Sequence, residues 1–224
     1  KDNKMNSYNN IFEYPKEGAE VFVKALLNNV KSDKIKLNSK IEHIDLSKKI
    51  CVVNGQEIFF DKLVSTIALT NLCDMIKLEL PECENLQANK VLVFNLGFNK
   101  KSKIDEYHWV YVPDKKINFY RIGFYDNILN QSKLSMYIEI GYPTYADIDV
   151  DKQLKLTIEN LKKMQILTDH KLEAYNYLVI DPAYVHITNK SRKTVELIKS
   201  ILRQSNAYSI GRYGSWTYCS IEDC

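Results

Sequence analysis

Glycine and proline are scarce in this chain, seven and five among 224 residues. Few positions can therefore take the left-handed backbone that tight ligand-cradling loops require. None of the seven glycines falls in a G-x-G-x-x-G or P-loop arrangement. Neither H-E-x-x-H nor G-x-S-x-G occurs, which leaves metalloprotease and serine-hydrolase chemistry without a motif. The five cysteines are odd in number and lack the paired short spacings of a zinc site. They read as thiols of a reducing cytosol, Cys219 and Cys224 being the one pair close enough to suggest a disulfide or a metal half-site. Four histidines (His43, His108, His170, His186) are far apart, each in an expected strand or polar turn, where a structural use is commoner than a catalytic one. No apolar run approaches the ~18 residues of a membrane span and no secretory signal opens the chain, so a soluble, cytoplasmic protein is expected. A net charge of +3, carried mostly by scattered lysines, forms no basic stripe and argues against a nucleic-acid partner.

What is present suffices for a core: 45% of residues are hydrophobic and 26% charged. Residues 17–30 set Ala19, Phe22, Val23, Leu26, Leu27 and Val30 at a helical period behind Pro15. Residues 35–46 alternate like a strand, 49–53 and 57–60 flank the hairpin signal Asn54-Gly55, and 62–67 read as a short buried strand. Residues 71–89, broken by Pro81, look irregular or weakly helical. Strands are expected at 90–98, 107–112, 118–125 and 134–142, joined by polar turns into an antiparallel meander. Helices at 151–165 and 191–204, an extended run at 175–187 and a short strand at 207–210 complete the reading. The fold class is α+β, an antiparallel sheet with flanking helices over 71–205 and a smaller portion built from 1–70 and 206–224. The polar opening at 1–10 and an acidic helix start at 221–223 suggest that both ends are cut.

Three segments are chemically loaded. In Gly211-Arg212-Tyr213-Gly214-Ser215-Trp216-Thr217-Tyr218, two glycines let the backbone approach a ligand, an arginine can fork onto phosphate, and aromatic faces can stack on a ring. The same residues would also suit a tight turn with buried aromatics. In His108-Trp109-Val110-Tyr111-Val112-Pro113 and Phe119-Tyr120-Arg121, strand alternation puts Trp109 with Tyr111 on one face and Phe119 with Arg121 on one face. That set suits a nucleotide diphosphate; cross-strand packing is the alternative for the aromatics, but arginine is rarely buried unpaired. The third, Asp181-Pro182-Ala183-Tyr184, reads as a turn carrying a tyrosine.

In order, Tyr14-Pro15-Lys16-Glu17-Gly18-Ala19, IEHID, VNGQEIFFDKLVSTIAL, HWVYVP, NFYR, Tyr184 and GRYGSWTY resemble the latter two-thirds of the eukaryotic-type UDP-galactopyranose mutases. The chain is also similar to protoporphyrinogen-oxidase-like and amine-oxidase-like flavoproteins, some tied to lipopolysaccharide synthesis. The resemblance implies FAD as cofactor and a nucleotide sugar as substrate. It implies that Arg121 and Arg212 grip the substrate diphosphate as the catalytic pair, while Trp109 and Tyr111 hold the UDP part and Tyr184 and Tyr218 reach the diphosphate. Backbone around Ile41 and Ile44 would meet the FAD adenine, and Gly214, Ser215 and Trp216 would lie beside the flavin, with no metal. Residues 1–70 and 206–224 would then be a partial FAD-binding domain and 71–205 the substrate domain. The family's glycine-rich opening turn and closing helix have no counterpart, so the chain alone is expected to hold FAD poorly and to be inactive. Where the family has Gly-Tyr-Pro, Tyr184 is followed by Val185. The alternatives are a flavin amine oxidase or protoporphyrinogen-oxidase-like oxidoreductase, or a non-catalytic ligand-binding domain.

Overall fold

The structure, a computed structural model, describes residues 13–220 and 223–224. Its first helix, α1 (Glu20–Leu27), has the expected periodicity, yet Val21, Phe22, Val23, Leu26 and Leu27 are all exposed. A three-stranded antiparallel sheet follows, β1 (Ile41–Asp45), β2 (Ile50–Val53) and β3 (Gln56–Phe59), with β1 and β3 at its edges. Asn54 and Gly55 turn the β2–β3 hairpin at φ values of 48° and 74°, the paired left-handed residues that match strand twist. The strand expected over 35–46 is shortened because Asn38 takes a left-handed φ of 53°. After β4 (Leu63–Ser65) comes α2 (Leu69–Met75), a helix where periodicity was weak, anchored by buried Leu69, Leu72 and Cys73.

The largest sheet joins β5 (Ala88–Phe98), β6 (Trp109–Tyr111), β7 (Arg121–Phe124), β8 (Ser135–Pro143) and β9 (Leu172–Val185). Its order is β6-β7-β8-β5-β9, antiparallel throughout, so the expected meander holds only from β6 to β8. The β5 strand sits inside, between the two other long strands, with Leu92, Phe94, Leu96 and Phe98 on one face and Val91 and Val93 among Asn89 and Asn95 on the other. A meander would have left it at an edge with half its backbone groups unpaired. One face carries Leu92, Phe94, Leu96, Ile122, Met136, Ile138 and Ile140 into the main core. Over it lies α4 (Val150–Lys163), which brings Leu154, Ile158 and fully buried Leu161. Burying a side chain such as Leu161 is worth roughly 1.5–3 kcal/mol. The opposite face presents Val91, Val93, Arg121, Gly123, Tyr137 and Glu139, and this second face matters for function. The strand expected over 118–125 begins three residues later, at Arg121, and gives way to α3 (Tyr125–Leu129) directly after Phe124.

A second core forms where the two parts of the chain meet. Here α5 (Asn189–Gln204) buries Val195, Ile198 and Leu202 among Ile44, Cys51, Leu69, Leu72, Leu86 and Trp216. Thr188 and Ser191 close its start reciprocally: each side-chain oxygen accepts the other's backbone N–H, at 3.0 and 2.8 Å. Then β10 (Ala207–Ser209) pairs in parallel with β4, so an early and a late segment share one two-stranded sheet. The short helix α6 (Gly211–Gly214) follows. The expected acidic helix start falls at 221–222, outside the described residues, apart from Asp223, whose carboxylate accepts the Ser220 N–H at 2.8 Å.

Candidate functional site

Arg121 reaches its position through a break in strand regularity. The Tyr120 N–H donates to the Glu139 carbonyl at 3.1 Å, while Arg121 is itself the register partner of Glu139. Two residues thus oppose one, the relation found in a bulge. As a result both side chains reach one carboxylate: the Tyr120 hydroxyl donates to Glu139 Oε2 and the Arg121 guanidinium to Oε1. Phe119, expected on the same face as Arg121, is instead buried in the main core. The approach to this break is held from below. Asn118 Nδ2 donates to Gln153 Oε1 at 2.9 Å and Thr157 Oγ1 at 3.0 Å, and Asn160 Nδ2 donates to Asn118 Oδ1 at 2.9 Å. Thr157 and Asn160 are fully buried, so this polar network fixes the chain just before Arg121 against α4.

Arg212 arrives from α6, whose surroundings tie it to the end of β9. Gly211 takes a φ of 75°, turning the chain from β10 into the helix. A Cβ on Gly214 would lie 2.8 Å from Ser209 Oγ and 3.3 Å from the Ser65 carbonyl, so tight packing on β4 and β10 itself demands glycine there. The Tyr213 hydroxyl donates to the Ala183 carbonyl at 3.3 Å and that of Tyr218 to the Val185 carbonyl at 2.6 Å. Arg212 donates to the Cys219 carbonyl at 2.9 Å and lies over the rings of Tyr218 and Tyr184, 5.3 and 6.0 Å from their centroids.

Arg121, Arg212 and Tyr184 therefore meet. They line one cleft of about 230 Å³ with Glu139, Tyr213 and a floor of Val91, Val93, Ile180 and Ala183. Tyr218 stands behind, its ring 6.4 Å from that of Tyr184. Tyr111 adjoins Arg121, its ring centroid 6.0 Å from the guanidinium carbon, and Tyr137 flanks the same group at 5.6 Å. Trp109, two residues from Tyr111 on the same outer strand, pairs with Gly123 and does not line the cleft. The candidates for the cofactor lie elsewhere. Ile44 is buried in the second core and Ile41 packs against it, on a strand at the edge of its sheet among the described residues. Trp216 and Ser215 border other hollows; Trp216 contributes to a 450 Å³ one with Thr70, Asn71, Gln87, Thr144 and Asp181. Its buried indole Nε1 has no hydrogen-bond partner.

Glu139 and Tyr137 were not singled out from the sequence, and Tyr120 and Tyr213 lay in the loaded segments without a role of their own. Glu139 left a trace, because it is the one charged residue in the alternating run Met136-Tyr137-Ile138-Glu139-Ile140. Electrostatically the cleft sets two guanidinium groups against one carboxylate. Burial and the neighbouring Glu139 push the Tyr120 hydroxyl far above its usual range, so it stays a donor. Burial opposes the charge on Arg121, but Tyr111 and Glu139 outweigh it and keep the group protonated. Cys73 is pushed up to about 12 by burial first and by its neighbour Cys83 second. The Cys219 and Cys224 sulfurs lie 3.2 Å apart. Among the described residues no group of His, Cys, Asp and Glu is arranged to hold a metal ion, and no helix is long and apolar enough to cross a membrane.

No family model matches the sequence, and no curated protein matches it. Solved structures do match. Reduced UDP-galactopyranose mutase superposes with a TM-score of 0.82 at 21% identity, over 92% of this chain and 48% of that one. A putative protoporphyrinogen oxidase from Exiguobacterium sp. 255-15 gives 0.70 at 13% identity, over 86% and 46%. A CLA-producing fatty acid isomerase from P. acnes gives 0.64 at 13% identity, over 89% and 49%. The chain has the fold shared by these structures and spans about half the length of each, less than the two-thirds that the sequence resemblance implied.

Proposed function

We propose that this chain forms the substrate-binding part of an FAD-dependent enzyme that acts on a nucleotide sugar, in the manner of the UDP-galactopyranose mutases it resembles. One observation carries the reading: two of only four arginines, from segments remote in sequence, line a single cleft together with tyrosine. A diphosphate offers oxygens to both guanidinium groups, whose preorganised charge would stabilise it as it departs from the sugar. Tyr184 and Tyr218 border the Arg212 end, while Tyr111 and Trp109, on the outer strand, are suited to stack on the base. On this reading 71–205 is the substrate domain, the protein works in the cytoplasm, and its product serves cell-surface polysaccharide or lipopolysaccharide synthesis.

The residues present fit part of a flavin site. Trp216 offers a buried indole N–H without an acceptor, beside a polar hollow, and Ile41 and Ile44 lie on β1, an edge strand among the described residues. Ser215 and Trp216 would hold the ring system and 1–70 with 206–224 the rest, although the sequence contains no glycine-rich pyrophosphate turn. When bound, the flavin supplies the covalent chemistry at the anomeric carbon. The chain's own residues position the sugar nucleotide and balance its charge.

A second reading, flavin-dependent oxidation of an amine, porphyrinogen or lipid-linked substrate, is favoured by Glu139. Its carboxylate offsets one of the two positive charges, and tyrosines surround the remainder. The two readings separate on protein expressed from the complete reading frame that encodes this chain. Flavin absorption in the visible, with UDP perturbing the spectrum and binding in the micromolar range, supports the mutase reading. Flavin absorption indifferent to UDP favours the oxidoreductase. A colourless protein that takes up no added FAD sinks both.

A further inference from the structure

Glu139 is 6% exposed, on the same face as Arg121, and spends both carboxylate oxygens on the two donors that the strand irregularity places side by side. Arg121 is further confined between the rings of Tyr111 and Tyr137. Tyr137 is confined in turn, since its ring lies against Gly123, where a Cβ would come within 1.8 Å of it. The guanidinium is therefore held on three sides, and its Nε is buried with no hydrogen-bond partner. Burial closes that Nε to a ligand as it does to water, but the Arg121 side chain is still 25% exposed, and Glu139 engages it at Nη2.

We propose that Glu139 is a positioning residue for anion recognition. It aims Arg121 at the cleft, so that an anionic oxygen of the ligand meets the part of the guanidinium that stays exposed beside Glu139. The inference rests on the reading of the cleft as a phosphate site. Its consequence differs from that of charge alone. If Glu139 merely offset positive charge, removing it by any means would tighten anion binding. If it aims Arg121, a side chain of equal reach that still accepts a hydrogen bond preserves binding, and truncation loses it.

The test compares Glu139→Gln, Glu139→Asp and Glu139→Ala with the unaltered protein, with UDP as the probe in calorimetric titration. Glu139→Gln is expected to bind UDP at least as tightly as the parent. Glu139→Ala and the shorter Glu139→Asp are expected to weaken binding about tenfold or more, the scale of a lost hydrogen bond to a charged group. Tighter binding by Glu139→Ala overturns the positioning role. A second readout needs no nucleotide: the rate at which phenylglyoxal modifies each arginine, followed by peptide mass spectrometry. Arg121 should react several times faster in Glu139→Ala and Glu139→Asp than in the parent or Glu139→Gln, with Arg212 unchanged. Equal Arg121 rates in all four proteins also overturn the proposal. Absence of UDP binding by the parent counts against the nucleotide-sugar reading alone, and the labelling rates then decide the role of Glu139.

Discussion

The guanidinium of Arg212 lies 5.3 Å from the ring centroid of Tyr218, and the hydroxyl of that same tyrosine donates to the Val185 carbonyl at 2.6 Å. One tyrosine thereby links the helix that carries Arg212 to the strand that carries Tyr184. The cationic end of the cleft depends on this tie, because α6 is only four residues long and has no core of its own.

Arg212→Ala should weaken UDP binding by about 10- to 100-fold, the equivalent of one charged hydrogen bond of roughly 1.5–3 kcal/mol. Arg212→Lys should recover only part, since an ammonium cannot fork onto two oxygens or stack on Tyr184 and Tyr218 as a guanidinium does. Titration calorimetry of both variants decides this. Unchanged affinity in Arg212→Ala would remove the main support for the diphosphate reading.

Tyr218→Phe keeps the ring beneath Arg212 and deletes the bond to Val185. The expected cost is about 1 kcal/mol of global stability, read from urea unfolding. Binding should change less than in Arg212→Ala. The reverse order of effects would mean that the hydroxyl contacts ligand directly.

Gly123→Ala places a methyl group where the Tyr137 ring lies, within 1.8 Å. Overpacking of this kind costs about 1–3 kcal/mol, and displacement of Tyr137 should loosen Arg121 as well. The double variant Gly123→Ala with Tyr137→Ser should regain most of the stability in chemical denaturation. Failure of the double variant to regain any stability would place the strain elsewhere than at this contact.

Asp126 is fully buried, with Oδ1 accepting the Ser135 N–H at 3.3 Å and Oδ2 without a partner. Burial raises its carboxyl above the usual carboxylate value. Because the folded-state value is the higher one, its contribution to stability is complete below about pH 4 and declines as pH rises through the folded value. Asp126→Asn should abolish that decline, giving a flatter stability profile between pH 4 and pH 7.5 in denaturant titrations. A profile as steep as that of the parent would show that other groups govern the acid range.

Several features were legible residue by residue because they depend on neighbours in the chain. Asn54-Gly55 specifies its hairpin through two adjacent left-handed conformations, and Leu154, Ile158 and Leu161 mark α4 by spacing alone. The candidate arginines stood out for a similar reason, being rare and set among aromatics. Even so, the exposed apolar stripe of α1 warns that periodicity announces a helix without saying what covers it.

Tertiary structure decided the rest. Strand order is a competition between distant segments, and β5 was taken into the sheet between β8 and β9, where its eleven residues pair their backbone on both sides. The two-against-one register at Tyr120 and Arg121 exists only because β8 lies alongside, so no local pattern announced that both side chains would reach one carboxylate. The sequence by itself determined which residues could bind an anion and which elements would carry them. Only long-range pairing decided that Arg121 and Arg212 share a cleft and that Glu139 stands between Arg121 and full positive charge. Local propensity acts over a few bonds, whereas the field at a site is set by whatever charges the fold brings within a few ångströms.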